Sequence, residues 1–110
     1  MINVKESPRL LSYLGFAKKA GKLVSGAGNT ENALKNFKAK LVLVSDSASV
    51  NTKKHFSDMA VFRNVPIYIL EGGNLGSAIG KEEHKTICIT DLGFANAVIK
   101  EINLNLGVNV

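Results

Sequence analysis

The sequence predicts an α/β protein, a three-layer α/β/α sandwich around a mixed sheet of about four strands. Two observations carry that expectation. Helical and strand patterns alternate along the chain with no linker, low-complexity tract or internal repeat between them. The run Leu41-Val42-Leu43-Val44 is apolar on both faces, as in a strand covered on each side by helices. At 110 residues the chain has the length of one domain, here residues 1–110, and is long enough to bury a core without a disulfide or metal staple.

The elements follow in order. Ser7-Pro8 starts a helix: the serine can cap free N–H groups, and proline suits the first helical position. Leu10, Leu11, Leu14 and Ala17 recur at helical spacing, Lys18 and Lys19 favour the last turn, and Gly21 closes it. Leu23-Val24 is a short strand, and Ser25 to Asn29 a turn into a second helix over about Thr30 to Phe37. After the Leu41–Val44 strand, Ser45 to Ser49 is a polar turn into a helix over Val50 to Arg63, with Phe56, Met59 and Ala60 inward. Val65-Pro66 opens the strand Ile67 to Leu70. Gly72-Gly73 breaks the chain before a short helix near Leu75 to Ile79, which Gly80 ends. The charged loop Gly80 to Lys85 leads to a strand over Thr86 to Thr90. Asp91 caps a last helix whose inner face is Phe94, Ala95, Val98, Ile99 and Ile102, and the tail Asn103 to Val110 is expected to fray.

Composition limits the function classes. The formal net charge is +5, and it is uneven. Met1 to Lys54 carries ten Lys/Arg against three Asp/Glu, and the remainder four against six. Such an excess suits a polyanionic partner, because cations that neutralise phosphates release condensed counterions. The single cysteine, Cys88, lies in an apolar run and reads as a small buried hydrophobe. No apolar run approaches a membrane span, and Met1 to Glu6 lacks the order of a signal peptide, so a cytoplasmic location is expected. His55 and His84 have no serine or cysteine partner by sequence, and Cys, His and carboxylates show no metal-ligand spacing. The chain is therefore expected to be neither an enzyme nor a carrier of a metal or cofactor.

Three segments could bind a ligand. Gly26-Ala27-Gly28-Asn29-Thr30 follows a strand and opens a helix, where backbone N–H groups attract anions and glycines permit close approach. Glu31 occupies the place of the third glycine of a dinucleotide fingerprint, and a simple capped turn reads equally well. The loop Lys81 to Lys85, with Glu82, Glu83 and His84 between its lysines, is a contact loop or a solvated connection. Ser45-Asp46-Ser47-Ala48-Ser49 sits at a strand's C-terminal end, where ligands gather, or merely caps the next helix through its hydroxyls and Asp46.

Several stretches in order resemble one family: Leu14 to Gly26, Lys38 to Val44, Asn51 to Lys54, Asn64 to Pro66 and Leu75 to Lys81. Together they are similar to the ribosomal L-seven-Ae/L-thirty-e family, most closely its bacterial YlxQ-type branch, from Leu10 to about Ile99. The resemblance implies a three-layer sandwich that binds structured RNA, typically the kink-turn, and possible ribosomal RNA partners. It places sheared G·A recognition at the turn and helix beginning with Gly26, and bulge-base contacts at the Gly80 to Lys85 loop. Gly28 and Asn29 stand where the family often has asparagine and glutamate, and Asn32 where it has a helix lysine. The implied RNA-binding set is Lys22, Gly26, Ala27, Gly28, Asn29, Asn32, Lys35, Asp46, Lys81, His84 and Lys85, with Lys22, Lys35 and Lys38 available for phosphates. A monomer is expected. The alternative expectation is a protein–protein interaction module that keeps the fold without reading RNA.

Overall fold

The computed structural model describes residues 1–106. Its elements are β1 (Ile2–Lys5), α1 (Pro8–Lys19), β2 (Leu23–Ser25), α2 (Ala27–Lys35), β3 (Leu41–Ser45), α3 (Val50–Phe62), β4 (Ile67–Glu71), α4 (Leu75–Ala78), β5 (Thr86–Ile89) and α5 (Leu92–Asn105). One mixed sheet runs in the order β1-β4-β3-β5-β2. β1, β4 and β3 are parallel, while β5 is antiparallel to both β3 and β2.

The alternation of side chains along a strand divides the core into two layers. Leu41, Leu43, Ile87 and Ile89 face α1, α4 and α5, where they meet Leu10, Leu14, Ala95, Val98 and Ile102. Val42, Val44 and Cys88 face the other way, onto Leu34, Phe56 and Ala60 of α2 and α3. Each fully buried leucine or isoleucine contributes about 1.5–3 kcal/mol of transfer free energy, so these two layers fix the sheet's register. Burial in the second layer pushes the Cys88 thiol up to about 12, leaving it a packing residue.

The element starts follow local chemistry. Ser7 Oγ accepts from the Leu10 N–H at 3.2 Å, Ser49 Oγ from Thr52 at 3.1 Å, and the Asp91 carboxylate from Phe94 at 2.9 Å. Gly21 stands at φ 72° just past α1.

Four expectations need correction. The sheet has five strands rather than about four, because Ile2–Lys5 adds an edge strand beside β4. Only Val4 of that strand is buried, so its apolar alternation is too thin to read. α2 begins at Ala27 and ends at Lys35, about three residues ahead of the expected helix, because Gly26 itself serves as N-cap. Ser49 caps α3, so Asp46 does not. α5 continues helical through Asn105, with Ile102 fully buried and Asn105 Nδ2 donating to Ser7 Oγ at 3.3 Å, where fraying from Asn103 was expected. The rest of that tail, residues 107–110, lies outside the described residues.

Strand directions give the molecule two ends. β1 to β4 all finish, and β5 starts, at one end, as the pairs Ser25↔Ile87, Val44↔Thr86 and Ser45↔Leu70 record. At the other end Leu23 and Leu41 both pair with Ile89, and Val42 with Ile67.

Candidate nucleic-acid interface

The first end is built around Gly26. Its backbone adopts φ 90° and ψ 156°, a region open essentially to glycine alone. The Gly26 N–H donates to the Thr86 carbonyl at 2.8 Å, which ties the corner to the start of β5. No side chain caps α2. The Ala27, Gly28 and Asn29 N–H groups in its first turn have no carbonyl one turn back to accept them, which makes this end a site for a negatively charged or hydrogen-bond-accepting group.

The Gly80–Lys85 loop arrives at the same place. Ser25 Oγ and His84 Nδ1 are 2.7 Å apart, so the end of β2 holds the imidazole in position. A Cβ added to Gly26 would sit 3.4 Å from the His84 ring, so the ring covers the bare glycine at van der Waals distance. The third polar segment joins from beneath: the Ser45 N–H donates to the Lys85 carbonyl at 2.8 Å, and Lys85 Nζ donates to Ser47 Oγ at 2.9 Å. Gly26, Ala48, Ser49, Thr52, His84 and Lys85 thus share the wall of one shallow cavity of about 210 Å³.

The loop keeps its course because α4 supports it. The Lys81 N–H donates to the Gly76 carbonyl at 2.9 Å, and the His84 N–H donates to the Lys81 carbonyl at 2.9 Å. Loop backbone presses on Gly76 so closely that a Cβ there would fall 2.5 Å from the Lys81 oxygen and 2.9 Å from those of Glu82 and His84.

The side chains expected to carry recognition divide. Asn29 is exposed, and its amide nitrogen donates to the Ser25 carbonyl at 3.0 Å, which leaves its Oδ1 as the outward group, an acceptor. Gly28, Asn32 and Lys35 fall on one exposed stripe of α2, at intervals of four and three residues. Lys35 stands in the last turn and bonds Glu31 at 3.0 Å. That bond, with Lys35's charge, holds the Glu31 carboxyl below the usual carboxylate range, and His55 at 3.6 Å adds to it. Asp46 is exposed at the turn, its N–H held by the Leu70 carbonyl. Lys81 is exposed on the loop.

Lys22 does not join them. It precedes β2 and its carbonyl accepts from Thr90 at the far end of the sheet, roughly 13 Å of strand from Gly26. Nor is the corner uniformly cationic. Glu82, Glu83 and Asp46 are exposed beside Lys81 and Lys85, and Glu83 lies 3.7 Å from His84 Nε2.

Ser47 belongs to the polar segment the sequence singled out, and Ser25 and Gly76 to the stretches that carry the family resemblance, but the contacts of all three are not legible in the sequence. The Ser25 and Ser47 hydroxyls matter only through contacts 59 and 38 residues away in the chain, and Gly76 through a loop folded back on it. None of these contacts leaves a local signal. Among the described residues no helix is long and apolar enough to cross a membrane, and no group of His, Cys and carboxylates is placed to hold a metal ion.

Comparison with known proteins places the chain. The model of the ribosomal protein L7Ae/L30e/S12e/Gadd45 family matches residues 9–99. The RNA-binding protein YlxQ of Bacillus subtilis (strain 168) is 41% identical over 87 residues, covering 78% of this chain and 87% of that protein. The RNA-binding protein YlxQ of Enterococcus faecium is 35% identical over 95 residues, covering 86% and 91%. A solved structure of a protein with unknown function from Bacillus halodurans C superposes with a TM-score of 0.82 at 32% identity, over 88% of this chain and 99% of the other. The matched span runs from α1 into α5 and takes in every segment of the corner; the chain belongs to the ribosomal protein L7Ae/L30e/S12e/Gadd45 family, in its YlxQ-type branch.

Proposed function

We propose that this chain is a non-catalytic RNA-binding protein, one domain acting as a cytoplasmic monomer, that grips structured RNA of the kink-turn kind in a ribosomal or other ribonucleoprotein setting. The observation that carries the proposal is the meeting of an uncapped helix N-terminus at Gly26 with the Gly80–Lys85 loop across the His84 ring. A surface of that kind suits folded RNA. Its backbone N–H groups and Asn29 Oδ1 would meet base edges exposed at a bend rather than the floor of a regular groove. An outward acceptor on Asn29 complements the amino and imino donors of guanine. Asn32 on the adjoining stripe, with Gly28 leaving the backbone open beside it, would extend the contact, and Lys81 and Lys85 would meet the displaced strand's phosphates.

Family membership and the RNA-binding names of the YlxQ relatives support the same reading. The test is a titration of a bent RNA hairpin, with a three-nucleotide bulge followed by tandem G·A pairs, against its fully paired counterpart. Tight binding to the bent form only, weakening as salt rises, is expected. Asn29→Ala should cost about 1–3 kcal/mol on the bent form and nothing on the paired one; unchanged affinity removes Asn29 from the contact. The acidic groups around the corner, Glu82, Glu83 and Asp46, favour the second reading of a protein-docking face. Equal, weak affinity for both RNAs would select it.

A further inference from the structure

A group of cations lies away from the corner. Lys22, Lys38, Lys40 and Arg63 flank strand starts at the opposite end of the sheet, and none is in an ion pair among the described residues. Lys22 and Lys40 bracket the end of β5: the Lys22 carbonyl accepts from the Thr90 N–H and the Lys40 N–H donates to the Ile89 carbonyl. Asp91, two residues past the end of β5, accepts from the Phe94 N–H. Helix C-termini favour cations, which accounts for Lys18 and Lys19 in the last turn of α1. It does not account for the two aromatic rings at the same end.

Phe37 is 78% exposed and Phe62 is 81% exposed. Each follows or closes a helix, α2 and α3 respectively, and an open groove of about 360 Å³ runs between those helix ends and α5. Phe37, Lys40, Arg63, Pro66, Leu92 and Asn96 are among its walls. The Arg63 guanidinium lies 5.4 Å above the Phe62 ring, a cation–π arrangement. Phe37 also holds a φ of 58°, rare for a bulky side chain. The backbone strain is borne without the burial that would normally offset it.

We propose that this end of the sheet is a second RNA-binding surface, specific for an unpaired strand. Phe37 and Phe62 would stack on successive bases, while Lys38, Lys40 and Arg63 take the intervening phosphates. Exposed rings need free base faces, which a duplex does not offer and a single strand does. Cations held in no ion pair among the described residues favour a polyanion over an apolar protein segment. The surface is separate from the corner by the length of the strands, so one protein could hold a folded element at one end and a flanking strand at the other. The proposal does not depend on the corner's RNA preference.

The probe is a fluorescent oligo-uridine of about 12 nucleotides, long enough to cross such a groove. Anisotropy at low salt is expected to show binding, with the bent hairpin failing to displace it. Lys38→Glu together with Lys40→Glu should weaken oligo-uridine on the order of tenfold or more and flatten its salt dependence. Phe62→Ala should weaken it about fivefold or more. Both should leave bent-hairpin affinity within about twofold. The altered side chains are exposed, and unchanged circular dichroism and melting confirm the fold. No binding by the unaltered protein, insensitivity to all three substitutions, displacement by the hairpin, or an equal loss on the hairpin would each overturn the proposal. Loss of hairpin binding in Gly26→Ala with oligo-uridine binding retained would separate the two surfaces; loss of both would overturn the second.

Discussion

The two ends of the sheet are built on opposite terms. At the Gly26 end the frame is already engaged while the first-turn N–H groups of α2 stay open: Ser25 bonds His84, Ser47 bonds Lys85, Asn29 bonds the Ser25 carbonyl, and loop backbone packs against Gly76. At the far end Lys22, Lys38 and Lys40 are in no ion pair among the described residues and the Phe37 ring is exposed, while Arg63 lies over the Phe62 ring and donates to the Met59 carbonyl. The first is a preorganised surface, whose cost of ordering is met during folding, so its contacts can discriminate shape. The second holds charge and stacking area without internal structure, the ingredients of sequence-tolerant affinity. Net charge located neither surface: the basic half of the chain supplies residues to both ends.

The contrast breaks first at Gly76. An alanine there would put a methyl 2.5 Å from the Lys81 carbonyl oxygen, with two more carbonyl oxygens at 2.9 Å. Backbone on both sides cannot swing aside as a flexible side chain would. We expect Gly76→Ala to destabilise the fold by about 2–3 kcal/mol in denaturant titrations, the upper range for overpacking, and to abolish selectivity for bent RNA by shifting His84. Full retention of both would show that the loop's course is not what organises the corner.

Gly26→Ala should have the next largest effect. At φ 90° and ψ 156° the residue occupies a region costing about 1–3 kcal/mol for any side chain. The new methyl would rest against the His84 ring at 3.4 Å, an ordinary van der Waals contact, so the cost falls on the backbone. Stability should fall by about 2 kcal/mol, with a loss of bent-RNA affinity exceeding that of Asn29→Ala. Unchanged stability in denaturant titrations, with φ still near 90° in a crystal structure of the variant, would contradict the backbone restriction described for this corner.

How much of this was legible in the sequence depended on range. The helix α1 could be read residue by residue, because Ser7, Pro8, the Leu10–Leu14–Ala17 face and Gly21 act within one or two turns. β3 was legible from its unbroken apolar run, and the two layers it separates followed from it. β1 was not, since a single buried Val4 makes its pattern indistinguishable from a polar leader. In the corner, Gly26 and the Gly80–Lys85 loop stood out as punctuation between elements. Their meeting depends on β2 pairing with β5 across some 60 residues of chain, which no local pattern records. Lys22 shows the reverse: near Gly26 in sequence, it is carried to the other end because an extended strand separates what four residues join.

The smallest expected effect bears on the far end. Phe37 combines a left-handed backbone with an exposed ring, so neither its conformation nor its burial recommends phenylalanine there. Asparagine tolerates that conformation through its short polar side chain. On folding grounds alone, Phe37→Asn should be neutral or slightly stabilising, because it relieves the left-handed backbone. If the ring is kept for stacking, the same change should weaken oligo-uridine binding several-fold while the melting temperature holds or rises. Gain in stability with loss of binding is the signature of a residue retained for a ligand. A protein that becomes less stable would instead show that Phe37 packs on the groove wall of Pro66 and Leu92, and the far end would then be part of the core's margin.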